Sequence, residues 1–325
     1  MSLRTETRQS VQEFPKPLEQ LSVDDLERKR RIAAVTTRML GYLTEKFTSL
    51  GFEWSLPVIF SKCTDPLWPD PGASIEKRIE VELYDEKVRT TLSMIIHKIV
   101  ACSLLYPKLF ILSPNVRVEK RERKSSGWHI YEFTQLDFEA RGASSKDIMQ
   151  LCETVLRGMM ENLNANCSET LDSVRNERLR APTTPFEVFD REELVTKFGE
   201  GWESKLPSEI QDPVWVTNIP REFYDYQELQ TQRWDNYDLY LPRYGEVLSG
   251  AKREWQYEKI FTKMQRDEVT KENYELLLRL AKEHRLKPSA GAGIGIERLV
   301  SWIVGARHIG EVQPFPKIPG IVYEL

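Results

Sequence analysis

The chain has 325 residues, of which 40% are hydrophobic and 30% charged, and its 46 basic and 50 acidic residues give a formal net charge of −4. That length can bury a large core, the charge offers no basic footprint for nucleic acid, and the apolar runs are too short and too interrupted to span a bilayer. Residues 1–25 lack the apolar segment of a secretory signal, and Cys63, Cys102, Cys152 and Cys167 lack paired spacing, so free thiols in a reducing cytoplasm are expected and a zinc site is not.

Residues 1–30 are expected to be an N-terminal arm, with Pro15 and Pro17, leading into one catalytic domain over 31–325. Ser22 and Asp25 have the spacing of a capping box, and Ile32, Val35, Met39, Leu43 and Phe47 recur at helical spacing before Gly51. A strand is expected over 52–60, interrupted by Pro57, then a proline-rich loop over 64–72. Strands over 80–83 and 87–92 precede a helix over 93–105, and two long strands, 109–119 and 129–139, flank a charged tip. A helix over 146–163 follows, and residues 164–210 read as a possible insertion. Strands over 214–219, 237–241 and 245–248, helices over 252–265 and 271–284, a glycine-rich strand over 289–295 and a helix from 296 complete the chain. Hairpin-linked strands with helices on one side point to an antiparallel α+β domain.

Three segments carry chemistry. On 129–139, alternation puts His129, Tyr131, Phe133, Gln135, Asp137 and Glu139 on one face and Ile130, Leu136 and Phe138 on the other. Solvated faces usually carry Lys, Glu and Thr, so an ordered set of rings, an amide and carboxylates suggests a site. In 290–299, Gly291, Gly293 and Gly295 alternate, which differs from a dinucleotide fingerprint and leaves a flat strip for something planar. Arg298 follows at a helix start, where a cation opposes the dipole. In 236–254, Asp238 and Glu246 can meet across a hairpin and hold Mg²⁺ beside phosphates; spacing alone leaves ordinary surface charge as the simpler reading.

Together these segments resemble the class II aminoacyl-tRNA synthetase core in its aspartyl/asparaginyl/lysyl subgroup. The helix before FEWSLP (52–57) and that strand resemble motif 1, which implies a homodimer. Arg117-Val-Glu119 with HIYEFTQLDFE (129–139) resembles motif 2, and Gly291 to Arg298 resembles motif 3. The resemblance implies ATP and Mg²⁺. It implies Arg117 on the α-phosphate and in catalysis, Phe133 and Arg298 on the two adenine faces over Gly293 and Gly295, and Glu119 near the adenine amino group. It implies His129 with Arg121 or Arg123 on the outer phosphates, and Asp238, Glu246 and Ser249 at the metal. Lys98, in the segment from Ser93, and Arg253, seven residues after Glu246, match aspartate-reading positions, with Gln135 and Asp137 at the amino group. Ile95 stands where a glutamine is usual, Trp128 where an arginine is, and the Asp238–Glu246 spacing is one residue longer than usual.

Only some 30 residues precede motif 1, against an anticodon-reading barrel in the tRNA-charging enzymes, so tRNA is not the expected partner. DPLWPDP, EFTQLDFE, NIPREFYD and LKPSAGAGIGIERL resemble the archaeal, synthetase-derived asparagine synthetases. That resemblance implies aspartate, ATP and ammonia as substrates and β-aspartyl-AMP as intermediate. Aspartate would lie reversed, with Arg253 and Lys98 on its α-carboxylate and Asp65 or Asp70 helping Gln135 and Asp137 at the amino group. Charging of a tRNA, aminoacylation of another protein, and a non-catalytic regulatory dimer are the alternatives.

Overall fold

The computed structural model of the chain describes residues 13–67, 75–175 and 179–325. The capping box forms as expected: the Ser22 hydroxyl accepts from the Asp25 N–H at 3.2 Å, and the Asp25 carboxylate accepts from the Ser22 N–H at 3.3 Å. It opens α1 (Val23–Ser49), so residues 23–30 are helical and the arm is shorter than expected. Ile32, Val35, Met39, Leu43 and Phe47 are the buried stripe of α1. Phe47 anchors it: its ring lies 5.1 Å from Phe52, 5.6 Å from Phe110 and 4.9 Å from Phe138. Truncating such a ring typically costs ~3–5 kcal/mol.

Numbered in chain order, the main sheet contains β1 (Glu53–Trp54), β2 (Lys108–Val116), β3 (Glu132–Arg141), β4 (Glu187–Asp190), β5 (Val214–Thr217), β6 (Asn236–Leu241), β7 (Gly245–Lys252) and β8 (Ser289–Gly295). Their spatial order is β1-β2-β3-β8-β7-β6-β5-β4. The outermost pairs, β1–β2 and β4–β5, are parallel; all inner pairs are antiparallel. The expected strand over 52–60 survives only as β1 and a short strand Phe60–Ser61, because the chain cannot keep a ladder through Pro57.

The other helices are α2 (Ile95–Leu104), α3 (Ser145–Asn166), α4 (Ser168–Val174), α5 (Arg191–Phe198), α6 (Trp202–Glu209), α7 (Tyr257–Arg266), α8 (Glu275–Lys282) and α9 (Ile296–Val304). The apolar sides of α1, α3 and α9 share one core with Leu136, Phe138, Ala140, Leu248, Ala290 and Ala292 of the sheet. Helices occupy more than one side: α2 packs on β3, β2 and β8 and shares a second apolar cluster with α7 and α8. The stretch read as an insertion adds β4 to the sheet edge and covers it with α5 and α6 through Leu194, Trp202, Leu206 and Val216. Among the described residues no helix is long and apolar enough to cross a membrane.

Candidate active site

Period-two alternation sorts β3 cleanly. Leu136, Phe138 and Ala140 enter the core, and Phe133, Gln135, Asp137 and Glu139 line the opposite face. His129 and Tyr131 do not belong to this row, because the strand begins only at Glu132. The charged tip between the two strands is a 3₁₀ turn, Arg121–Ser126. It is tied to the C-terminal segment by Ile309 N–H to Gly127 C=O (2.8 Å) and Tyr131 N–H to Lys317 C=O (2.9 Å).

At the inner end of the row, α2 delivers Lys98, which is 1% exposed. Its ammonium donates to Asp137 at 3.1 Å and to the Ala292 carbonyl at 2.9 Å, and lies 3.9 Å from Glu139. The sequence resemblance makes Lys98 a substrate reader; here two of its three N–H donors go to Asp137 and to the Ala292 carbonyl. Ser113 of β2 donates to the other Asp137 oxygen at 2.8 Å, and Asn115 donates to Gln135 at 2.8 Å. Glu139 accepts from Ser289 at 2.8 Å and from Arg253 Nε at 3.3 Å. Arg253 also donates through Nη1 to Asp225 and through Nη2 to the Gly291 carbonyl. Burial opposes its charge, but Glu139 and Asp225 outweigh burial and hold its pKa above that of a free guanidinium. A guanidinium has five N–H donors, so two remain for a ligand carboxylate after these three directions are used.

Asp65 lies beside this cluster. It accepts from Ser93 (3.2 Å), Tyr224 (3.1 Å) and the Leu67 N–H (2.9 Å). Ser93 in turn accepts from the Ile95 N–H at 3.3 Å, steadying the start of α2. Asp70 lies outside the described residues. Asp225, Tyr224 and the buried Glu222 are additions that the motif reading missed. The dense charged and aromatic run after Pro220 was their signal. Ser113 and Asn115 were equally available from alternation on β2.

At the outer end, β2 breaks at Arg117, whose N–H bonds to the Tyr131 carbonyl at 2.8 Å. Its side chain donates to the Leu92 carbonyl at 3.0 Å and lies 5.1 Å from the Phe133 ring centroid. Glu119 pairs with Arg123 at 3.1 Å; burial pushes its carboxyl up, with Arg123, Arg117 and Arg298 pulling it down. Arg121 is largely exposed, 3.6 Å from Glu76, and packs over Gly320 rather than joining Arg123. Ser126 donates to the Arg123 carbonyl at 2.7 Å and sits 2.7 Å from His129 Nδ1. With the hydroxyl proton so used, Nδ1 is the donor to Ser126 and Nε2 is left as an acceptor in the neutral ring. Burial, then Arg298 and Arg123, depress the His129 pKa to about 3. In this state His129 does not present a cation to outer phosphates.

The glycines of the strip face different neighbours. A Cβ on Gly293 would lie 2.8 Å from Asp137 and 3.1 Å from Gln135, so Gly293 sits against the inner end of the row. A Cβ on Gly295 would lie 3.7 Å from Arg298. Arg298 donates to the Glu246 carbonyl at 2.8 Å and lies 3.8 Å from its carboxylate.

Glu246 reaches this side through a register shift. Leu239 pairs with Leu248 but Tyr240 pairs with Glu246, leaving Val247 as an extra residue. Unshifted pairing would turn Glu246 to the far face; the bulge turns it to the face of Asp238 and Ser249, which are cross-strand partners. Asp238 is 2% exposed and pairs with Arg221, while its Oδ1 has no hydrogen-bond partner. Burial raises its pKa to about 7, Arg221 opposes, and Glu246 adds to the rise. A buried acceptor lacking a donor, with a second carboxylate nearby, fits Mg²⁺ shared with substrate phosphates. Among the described residues no three His, Cys, Asp or Glu side chains form a self-sufficient metal cluster.

The family model described as tRNA synthetases class II (D, K and N) matches residues 78–319. The chain belongs to that family. It is 28% identical over 247 residues to the asparagine–tRNA ligase of Metamycoplasma arthritidis (strain 158L3-1), covering 67% of this chain and 54% of that protein. The asparagine–tRNA ligase of Mycoplasma mobile is 26% identical over 251 residues, with 67% and 55% covered. The chain thus spans about half the length of these curated relatives. The class II fold is shared with asparaginyl-tRNA synthetase from Pyrococcus horikoshii complexed with asparaginyl-adenylate: TM-score 0.82, 23% identity, covering 97% of this chain and 77% of that one. It is also shared with aspartyl-tRNA synthetase from Entamoeba histolytica: TM-score 0.71, 19% identity, covering 97% and 65%.

Proposed function

We propose that this chain is an ATP-dependent, AMP-forming ligase that activates L-aspartate as an acyl adenylate. The observation that carries this is the order of side chains along one strand face. Phe133, Gln135, Asp137 and Glu139 run from a ring flanked by arginine to a buried arginine with two N–H groups to spare. Six residues of strand span about 20 Å, enough for adenine, ribose, phosphate and amino acid laid end to end. Phe133 and Arg298 stack on the base, Arg117 neutralises the α-phosphate as charge builds there, and Arg253 holds one aspartate carboxylate. Asp238 and Glu246 would hold Mg²⁺, which supplies charge neutralisation at the phosphates. The other carboxylate attacks the α-phosphorus in line, and pyrophosphate leaves with the bonding pair of its bridging oxygen. Exchange of labelled pyrophosphate into ATP that needs aspartate tests this step; exchange supported by asparagine and not by aspartate would refute it.

Two acceptors have support. The names of the similar proteins, asparagine–tRNA ligases, favour transfer to a tRNA. The resemblance of NIPREFYD and LKPSAGAGIGIERL to the synthetase-derived asparagine synthetases favours ammonia, with β-aspartyl-AMP as intermediate. Incubation with ATP, aspartate and ammonium, scored for asparagine and AMP, separates this from transfer of labelled aspartate to total tRNA. Hydroxylamine trapping reports orientation: an α-hydroxamate counts against reversed aspartate. A homodimer through α1 and the neighbouring edge is supported by Trp54, Leu56, Ile59 and Phe60, which are exposed there.

A further inference from the structure

The cations expected at the outer phosphates point elsewhere. Arg121 lies against Glu76 and Gly320, Arg123 pairs with Glu119, and His129 is neutral. The segment after β5 brings another cation to the metal end of the site. Asn236, the first residue of β6, holds Ile219 from both sides: its Oδ1 accepts from the Ile219 N–H at 3.0 Å, and its Nδ2 donates to the Ile219 C=O at 2.6 Å. Two residues further along both segments, Arg221 Nη2 donates to Asp238 Oδ2. One carboxylate is thereby divided, because Asp238 Oδ1 has no hydrogen-bond partner although the residue is buried. A metal ion taken by Oδ1 would stand one carboxylate's width from the guanidinium. A guanidinium that neutralises a buried acid frequently does so through two parallel N–H···O bonds; Arg221 uses one N–H. Among the described residues it makes no other hydrogen bond, and its side chain is 25% exposed, so four of its five N–H donors remain for a ligand. Burial opposes the charge of Arg221, and Asp238, Glu222, Glu246 and Asp225 outweigh burial. The same acids repel a bare anion, so the anion that suits Arg221 is one that carries Mg²⁺, such as a phosphate chain.

We propose that Arg221 is a further phosphate-binding residue, which holds the outer phosphates of ATP and then pyrophosphate, with Asp238 shared between it and the metal. The proposal rests on the adenylation reading of the site. When the bond from the α-phosphorus to the bridging oxygen breaks, its electron pair passes to pyrophosphate. Arg221 meets that gain of charge on the leaving group, while Arg117 faces the charge on the α-phosphate. The planar fork suits this task, since it can keep one N–H on Asp238 and turn its others to phosphate oxygens.

The test uses the full chain with Mg²⁺ and pyrophosphate, and reads binding by calorimetry without ATP or aspartate. In Arg221→Met the Kd of magnesium pyrophosphate rises at least about tenfold, while the Kd of AMP changes less than about twofold. Arg221→Lys keeps the charge without the fork and recovers part of the affinity. An arginine that serves only to neutralise Asp238 gives the opposite sign. Its loss frees Asp238 for Mg²⁺, so magnesium pyrophosphate binds Arg221→Met as tightly as wild type or more tightly, and that result overturns the proposal. An equal loss of affinity for AMP and for pyrophosphate marks a general disturbance of the site and also counts against it. If Arg221→Met does not fold, phenylglyoxal labelling of the wild type, read at Arg221 by mass spectrometry, decides. Magnesium pyrophosphate at about ten times its Kd slows that modification about tenfold and AMP does not; a labelling rate indifferent to magnesium pyrophosphate refutes the assignment. Absence of aspartate-dependent pyrophosphate exchange in the wild type sinks the adenylation reading itself. Exchange in the wild type, with undiminished pyrophosphate binding in Arg221→Met, sinks the role of Arg221 alone.

Discussion

Replacing Lys98 by Met separates a structural lysine from a substrate-reading one. Lys98 is buried to 1% exposure between Asp137, the Ala292 carbonyl and Glu139. Met fills the volume of the stem, so packing changes little and the charge is what is lost. Asp137 is then left with Ser113 alone, while Glu139 keeps Ser289 and Arg253. Breaking a buried pair typically costs ~3–5 kcal/mol. With Ser113 and Arg253 still in place, about 3 kcal/mol of lost stability is expected at the low end of that range. Urea unfolding followed by tryptophan fluorescence measures it. Adding Asp137→Asn to Lys98→Met should recover at least about 1 kcal/mol, because the second change removes the stranded charge. A Lys98→Met protein within about 1 kcal/mol of wild-type stability, but with a greatly raised KM for aspartate, would refute this account and make Lys98 a direct substrate contact.

The two glycines should respond differently. Gly293→Ala drives a Cβ to 2.8 Å from Asp137, which Lys98 and Ser113 prevent from yielding, so kcat/KM for aspartate falls at least about tenfold in pyrophosphate exchange. Gly295→Ala has room at 3.7 Å from the Arg298 side chain; it should fold normally and raise the KM for ATP by a few-fold. Phe133→Leu keeps an apolar surface but loses the stacking partner, which is worth about 1 kcal/mol, so the KM for ATP should rise about fivefold while the aspartate dependence stays close to wild type. Glu297 accepts from the Thr134 N–H at 3.0 Å, and burial raises its carboxyl from 4.5 to about 7. The folded state therefore binds this proton more tightly than the unfolded chain: its stabilising effect is complete below pH 4.5 and is lost as pH rises to about 7. Relative to Glu297→Gln, wild-type unfolding free energy should fall by on the order of 3 kcal/mol across that window. A flat difference in urea titrations would count against it.

Local pattern was sufficient for α1, with its Ser22–Asp25 cap and 3.6-residue stripe, and for the two faces of β3 from Leu136 onward. Both rest on interactions within a few residues, where side-chain spacing dictates which atoms can meet. The α+β class and the motif order were likewise legible, as was the assignment of Phe133, Gln135 and Asp137 to one surface. Three features were decided only by tertiary structure. Lys98 meets Asp137 and approaches Glu139 because α2 packs on the strand face that carries these two carboxylates. His129 is neutral because burial and two arginines oppose its proton. Glu246 joins Asp238 because a one-residue bulge at Val247 reverses the side on which it emerges, and whether the strand bulges depends on neighbours brought together from distant parts of the chain.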